Sequence, residues 1–567
     1  MIKLIPSVKK LTVTEGFLPT KSVRICDTGW DSRVLSAAKK LPQDPDGAAL
    51  EITVSGETGE GYVLDVQRDK ISVTAEAPAG AFYALQTLRQ LFAQEQVPCL
   101  HIEDRPDFAY RGFYHDASRG KIPTMETMKE LIDRMAYYKL NSLQLYVEDT
   151  FEFEECKNIN PTRGCLTKAQ LKELGDYCRD NFIDFVPSLS TFGHMYELLQ
   201  QPQYHHLRAV NDDGFAKSVW YCRMKHHTIN PRHPESIALV QSLINQYAPC
   251  FESDWFNICC DETFDLHHCA SNPEEIAQLY VDFVKKIIAH TQSKGKKIMM
   301  WADILLVHPE VIDQLPEDVC FLNWWYWPGA DEERFSHFAK INRNQIVCPG
   351  TTSWNRFCEA VETEEANISQ LAEFGHKYGA LGMLNTNWGD RGNLASLELG
   401  TYGMVLGAEK SWSVATAIDE DFYDRVNSLL YGSENGIRAL KAVSALQDLV
   451  NWIKFYGVYH EKMYGLVSRD PEECVIDLPK IQKAYLEIKD FLSGQVWEND
   501  EYRQEMLLAA EGVCVTAELQ QKLEGKNPVR ITDTHQWLEK YAQKWLQKNE
   551  KNELYRIEEL FTNCEAM

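Results

Sequence analysis

The chain has no run of lysine and arginine long enough to offset a formal net charge of −25 over 567 residues. That balance excludes a polyanionic partner such as nucleic acid or an anionic membrane surface. No stretch approaches a membrane span, and the N-terminal MIKLIPSVKKLTVTEG lacks the apolar core and small-residue cleavage site of a secretory signal. The 16 cysteines include no CxxC pair, so neither a disulfide framework nor a zinc site is expected. Cys259, Cys260, Cys320 and Cys348 lie inside apolar runs and read as reduced, buried thiols, which sets the expectation of a cytoplasmic protein. Adjacent histidines at 205–206, 226–227 and 267–268 have the wrong geometry to share one metal from a regular element. They are taken as incidental, and neither metal nor cofactor is expected.

What the chain has in quantity is aromatic: 11% of its residues, with 14 Trp. Tryptophan lines sugar and ligand pockets as well as cores. Hydrophobic content of 44% and charged content of 25% are ordinary for a globular protein, and the length implies several domains.

Three regions follow from the patterning. Residues 1–106 mix short alternating runs (SVRICDT, EITVSG, YVLDVQ, KISVTAE) with one helical stretch, Ala79–Phe92, which suits a small α/β domain. Over 107–415, eight apolar runs alternate with amphipathic stretches: RGFYHDA, NSLQLYV, FIDFVPSLS, WFNICC, KIMMW, VCFLNW, QIVCPG and ALGMLN. Met125–Tyr138, Thr167–Asp180 and Pro273–His290 carry the helical period between them. Eightfold strand–helix alternation predicts a (β/α)8 TIM barrel, an α/β fold. A doubly wound open sheet is the alternative, but it would want a Gly-rich turn after its first strand, and none is present. From 416 to 567 strand signals stop, and Asn435–Tyr456, Asp477–Leu492, Glu501–Leu523 and His535–Phe561 read as amphipathic helices. A structural role for this helical domain is the default, with a homodimer contact as the alternative.

A barrel places its chemistry at the C-terminal ends of its strands. There the sequence puts Asp116 and Arg119, Glu148 and Asp149, His194, Asp261 and Glu262, Trp301 and Asp303. Further on come Trp324, Trp325 and Trp327, then Trp354, then Asn387, Trp388 and Asp390. Asp261 and Glu262 are adjacent, and adjacent strand residues face opposite ways, so both can serve one pocket only where the strand gives way to a loop. Two carboxylates among aromatic walls, with one arginine, suit a neutral, hydroxyl-rich ligand and the cleavage of a glycosidic bond.

RGFYHDASRGKIPTMETMKELIDRMAYYKLNSLQLYVED, the FGH at 192–194 and the strand ending Asp–Glu resemble glycoside hydrolase family 20, the β-N-acetylhexosaminidases. GAFYALQTLRQLF…RPDFAYRG resembles the end of that family's N-terminal domain, so the likeness covers about residues 1–415. FGH, WGD and the helical tail are similar to its exo-β-N-acetylglucosaminidase branch. The resemblance implies retaining hydrolysis in which the substrate's own 2-acetamido oxygen is the nucleophile, through an oxazolinium, on terminal β-linked GlcNAc of a glycan or chito-oligosaccharide. Glu262 would then be the acid/base, and Asp261 would orient the acetamido N–H. Arg119 would bind the 3- and 4-hydroxyls. Asp149 and His194 would form a pair supporting the acid/base, and Trp301, one of Trp324 or Trp325, and Trp388 would wall the acetamide pocket. Asp390 stands where many members carry a Glu for the 4- and 6-hydroxyls, a shorter arm that leaves GlcNAc over GalNAc open. The family's Tyr near the seventh strand is absent from TTSWNRF, leaving Tyr326 or Trp354 as substitutes.

Two other readings stand beside this one. A barrel glycosidase with a carboxylate nucleophile would need a second carboxylate about 5 Å from the acid, with Asp303 or Asp390 as candidates. A glycan-binding protein without turnover would not need both Asp261 and Glu262.

Overall fold

The computed structural model describes residues 2–27, 29–210, 226–465 and 475–567. The N-terminal region forms a six-stranded sheet from β1 (Lys10–Phe17), β2 (Val23–Ile25), β3 (Ala48–Val54), β4 (Tyr62–Val66), β5 (Lys70–Ala75) and β6 (Pro98–Asp104), in the order β1-β6-β4-β5-β3-β2. The helix Pro78–Phe92 packs on the sheet. Its other side meets the barrel, where Gln90 donates to the Tyr137 carbonyl and Phe82 stacks near Phe182.

The eight apolar runs all become strands of one closed parallel barrel: β7 (Tyr110–Asp116), β8 (Ser142–Val147), β9 (Asp184–Leu189), β10 (Trp255–Asn257), β11 (Lys297–Trp301), β12 (Cys320–Trp324), β13 (Asn344–Cys348) and β14 (Gly382–Asn387). β14 returns to pair with β7 from Gly382↔Tyr110 to Asn387↔His115. Closure leaves no edge, and every second residue points to the axis. The interior is a distinct core of Tyr114, Tyr146, Met299, Trp301, Leu322, Ile346, Leu384 and Trp388 with their neighbours. Residues of the other parity, such as Leu143, Phe321 and Val347, pack outward against the helices.

Two of the four C-terminal stretches read as single helices are broken. Asn435–Tyr456 divides into Gly436–Gln447 and Trp452–Tyr464, because Asn451 leaves the helix and its side chain caps the next one at the Lys454 N–H. His535–Phe561 divides into Thr534–Lys548 and Leu554–Ala566. Here Asn549 is extended and bridges to Pro123 of the barrel, with Glu550 N–H donating to the Ile122 carbonyl at 2.8 Å. At this second break tertiary hydrogen bonds outcompete the local helical period. Among the described residues no helix is long and apolar enough to cross a membrane, and the cysteines are free thiols.

Candidate active site

β10 is the shortest barrel strand, and its brevity makes the site. The apolar run continues to Cys260, yet the strand stops at Asn257, whose side chain accepts the Cys259 N–H at 2.9 Å. Cys259, Cys260 and Glu262 then take left-handed backbone conformations, with φ of 56°, 65° and 47°. Such conformations cost non-glycine residues on the order of 1 kcal/mol or more each, and they gather where function demands them. The turn carries both Asp261 and Glu262 into one pocket, which a regular strand could not do. Bonds from outside fix it: Tyr280 hydroxyl to the Cys260 carbonyl at 2.8 Å, and Glu262 N–H to Asp303 Oδ2 at 2.9 Å. Burial and the nearby Asp261 charge push Asp303 up to about 7. Gly193 of the FGH motif lies against the same turn. A Cβ there would stand 2.4 Å from the Asp261 carbonyl oxygen, so no larger residue fits.

His194 joins the two carboxylates to Arg119. Its Nε2 is 3.3 Å from Asp261 Oδ2 and 3.3 Å from Glu262 Oε2. Its Nδ1 is 3.2 Å from an Arg119 guanidinium nitrogen, which can only donate, so Nδ1 accepts when the ring is neutral and the ring proton is then on Nε2, toward the carboxylates. Burial opposes a charged ring, but Asp261 and Glu262 outweigh it and push the His194 pKa up to about 10. The His194 N–H donates to His227 Nδ1 at 2.7 Å, and burial holds His227 neutral. His227, taken as incidental from the sequence, thus props the loop that carries His194.

Arg119 is buried and lines the cleft. It donates to Glu148 at 3.1 Å, to Asp390 at 3.0 Å and to the Tyr146 hydroxyl at 3.3 Å, with its plane over Tyr146 and Trp388. Asp390 also accepts from Asn355 at 3.2 Å. Asp116 locks the two loops behind them, accepting from Arg119 N–H at 3.0 Å and Gly389 N–H at 3.0 Å. Gly389 is needed for that contact, because a Cβ would meet the Arg119 carbonyl at 2.8 Å.

The resulting cleft, about 660 Å³ with its mouth, is lined by Arg119, Asp261, Glu262, Trp301, Trp324, Tyr326, Trp327, Trp354, Trp388 and Asp390. Trp301 and Trp388 lie 5.8 Å apart between ring centres, and Trp354 meets Tyr326 edge-on at 5.1 Å. The Tyr326 hydroxyl accepts from the Trp388 indole at 2.8 Å.

Three expected site residues do not line it: His194 stands against Asp261 and Glu262 without lining the cleft, and two others lie apart. Asp149 does not pair with His194; Arg163 takes both its oxygens, at 2.7 and 3.0 Å, and it is buried away from the cleft. Trp325 does not line the cleft; it meets Trp327 edge-on at 5.4 Å and lies under Arg334. Strand parity explains both. On β8, Gln144, Tyr146 and Glu148 face inward and Asp149 outward; past β12, Trp324 and Tyr326 face inward and Trp325 outward. The same alternation would have found Tyr146 and Glu148, whereas no local signal marks Asn355 or His227.

Among the described residues, two groups bring three metal-ligating atoms within 4.8 Å of one another: His194, Asp261 and Glu262 themselves, and His206, His233 and Glu235 at the surface.

Known proteins are similar to this chain in sequence and in fold. The beta-hexosaminidase of Porphyromonas gingivalis is 25% identical over 367 residues, 56% of this chain and 44% of that protein. The beta-hexosaminidase of Emericella nidulans is 25% identical over 301 residues, 47% of this chain and 49% of that protein. The chain spans about half the length of these curated relatives. In fold, the crystal structure of Flavobacterium johnsoniae chitobiase superposes with a TM-score of 0.61 over 95% of each chain at 18% identity. The Glycosyl hydrolase family 20 domain 2 model matches residues 2–105, and the family's catalytic-domain model matches 108–413. That second match covers more than half of the chain and contains the Asp261–Glu262 turn, and on it the chain belongs to glycosyl hydrolase family 20.

Proposed function

We propose that the protein is an exo-acting, retaining β-N-acetylhexosaminidase that removes terminal non-reducing β-linked GlcNAc, with GalNAc as a further substrate. The observation that carries this reading is the convergence of Asp261 and Glu262 on one aromatic pocket. Asp390 lines the same pocket, bonded to Arg119 and Asn355, while Asp303 accepts the Glu262 N–H. Membership of glycosyl hydrolase family 20 implies that the nucleophile is the substrate's own acetamido oxygen.

Glu262 protonates the leaving oxygen as the acetamido oxygen bonds to the anomeric carbon, giving an oxazolinium. The same carboxylate then takes a proton from water as that water attacks the anomeric carbon and reopens the ring. Asp261 accepts the acetamido N–H, orienting the group and balancing the positive charge that develops on it. Trp301, Trp324 and Trp388 enclose the acetamide. Tyr326, oriented by the Trp388 indole, donates its hydroxyl proton to the acetamido carbonyl in place of the missing tyrosine after β13. Arg119 and Asp390 bind the ring hydroxyls at the closed end, which suits the end of a glycan better than its middle.

The test compares aryl β-GlcNAc with aryl β-glucose. Turnover is expected only with the acetamido sugar, and a thiazoline resembling the bicyclic intermediate is expected to inhibit strongly. Equal rates on the two sugars would overturn the mechanism.

A further inference from the structure

The C-terminal helices meet the catalytic face of the barrel along a seam behind Arg119 and Asp390. Lys121, two residues after Arg119, is 6% exposed. Its ammonium donates to the Ala395 carbonyl at 2.7 Å and the Leu394 carbonyl at 3.4 Å, in the loop that carries Asp390. The ring centres of Trp545 and Tyr541, on the helix Thr534–Lys548, stand 4.9 and 5.8 Å from that ammonium. Tyr541 also donates its hydroxyl to the Leu394 carbonyl at 3.0 Å, and the Trp452 indole donates to the Arg391 carbonyl at 3.1 Å. On the other loop, Thr124 N–H bonds the Lys548 carbonyl at 2.9 Å. Each loop is therefore bonded to the C-terminal helices, and Lys121 staples the two loops together.

None of these groups lines the sugar cleft. What they control is the spacing of Arg119 and Asp390, and hydrogen bonds to hydroxyls weaken steeply with small displacements. Burial is unfavourable for the ammonium and pulls Lys121 down to about 8, against Glu505 and Glu398. The carbonyls and aromatic faces that compensate come from both sides of the seam.

We infer that Lys121 is a positioning residue, and that through it the C-terminal helices set affinity for the sugar hydroxyls without entering proton transfer. The inference rests on the reading of Arg119 and Asp390 as hydroxyl-binding groups. Asp261 and Glu262, in the turn after β10, lie outside the seam, so the effect falls on KM and on discrimination at the 4-hydroxyl.

The experiment uses the full chain and measures kinetics on aryl β-GlcNAc and aryl β-GalNAc, with thermal unfolding alongside. Lys121→Met keeps the length and removes the charge. KM is expected to rise roughly tenfold with kcat within about threefold, and the GlcNAc-to-GalNAc ratio of kcat/KM is expected to move severalfold toward one. Tyr541→Phe, which removes one hydroxyl, is expected to shift both in the same direction by less, and it decides the matter if Lys121→Met does not fold. Unchanged KM and ratio in the folded variants, even with a lowered unfolding midpoint, would mean a purely structural seam and overturn the inference. A wild-type protein inactive on both acetamido sugars would instead overturn the functional reading beneath it, before any variant is compared.

Discussion

His194 Nε2 lies 3.3 Å from Asp261 Oδ2, and an equal distance separates it from Glu262. One ring therefore touches both halves of the carboxylate pair, and its other nitrogen touches the arginine at the far end of the cleft. Its backbone is left-handed at φ 54°, a conformation that Asn also tolerates. His194→Asn is therefore expected to fold while losing the bridge. Turnover of aryl β-GlcNAc should fall by about 10²-fold, with an unfolding midpoint near that of the wild type. A kcat within threefold of wild type would show that the ring only fills space.

The two carboxylates separate by leaving group. Glu262→Gln cannot donate a proton, so substrates with poor leaving groups should lose about 10²–10⁴-fold and those with good ones far less. Asp261→Asn no longer places a full charge beside the developing oxazolinium and should lose about 10²–10³-fold on both kinds. Initial rates across a series of aryl leaving groups check this. A loss that ignores the leaving group in Glu262→Gln would remove its acid role.

Gly193 tests the turn itself. Gly193→Ala would press a methyl group to 2.4 Å from the Asp261 carbonyl, and backbone cannot yield as a flexible side chain can. The expected outcome is a destabilisation of roughly 1–3 kcal/mol together with loss of turnover, as the Asp261–Glu262 turn is displaced. Both are read from thermal unfolding and from the rate on aryl β-GlcNAc.

The barrel was legible because its eight runs are apolar and evenly interleaved with helical stretches, a long-range regularity that survives local noise. Asp261, Glu262, Arg119, Trp301, Trp324, Trp354, Trp388 and Asp390 were legible as strand-end residues, and the structure gathers them in one cleft. Asp149 and Trp325 were misplaced because position at a strand end was weighed without parity. Applied to LQLYVED and CFLNWWY, the two-residue period points Glu148 and Tyr326 inward instead. His227, Asn355 and Lys121 gave no local signal, since each acts through partners distant in sequence. The break at Asn549 was hidden likewise, because the bond that follows that helix goes to the barrel loop at Ile122, whereas the break at Asn451 is a local cap on the Lys454 N–H.

A last consequence concerns stability. Glu359 and Glu364 are both fully buried side by side, and Glu359 also accepts the Gly403 N–H at 3.2 Å. Burial pushes Glu359 up to about 8 from 4.5, and burial with the Glu359 charge pushes Glu364 well above its ordinary value. The folded protein therefore holds protons that the unfolded chain releases above about pH 4.5. Between those values the native state binds more protons, so stability falls as pH rises from about 4.5 to 8 and this contribution is then exhausted. Glu359→Gln keeps an acceptor for Gly403 and a donor for Glu364 but cannot ionise. Its unfolding midpoint relative to wild type should therefore be higher at pH 8 than at pH 5, measured by thermal unfolding at both. A variant that loses stability with pH as steeply as the wild type would show that this pair carries no buried proton.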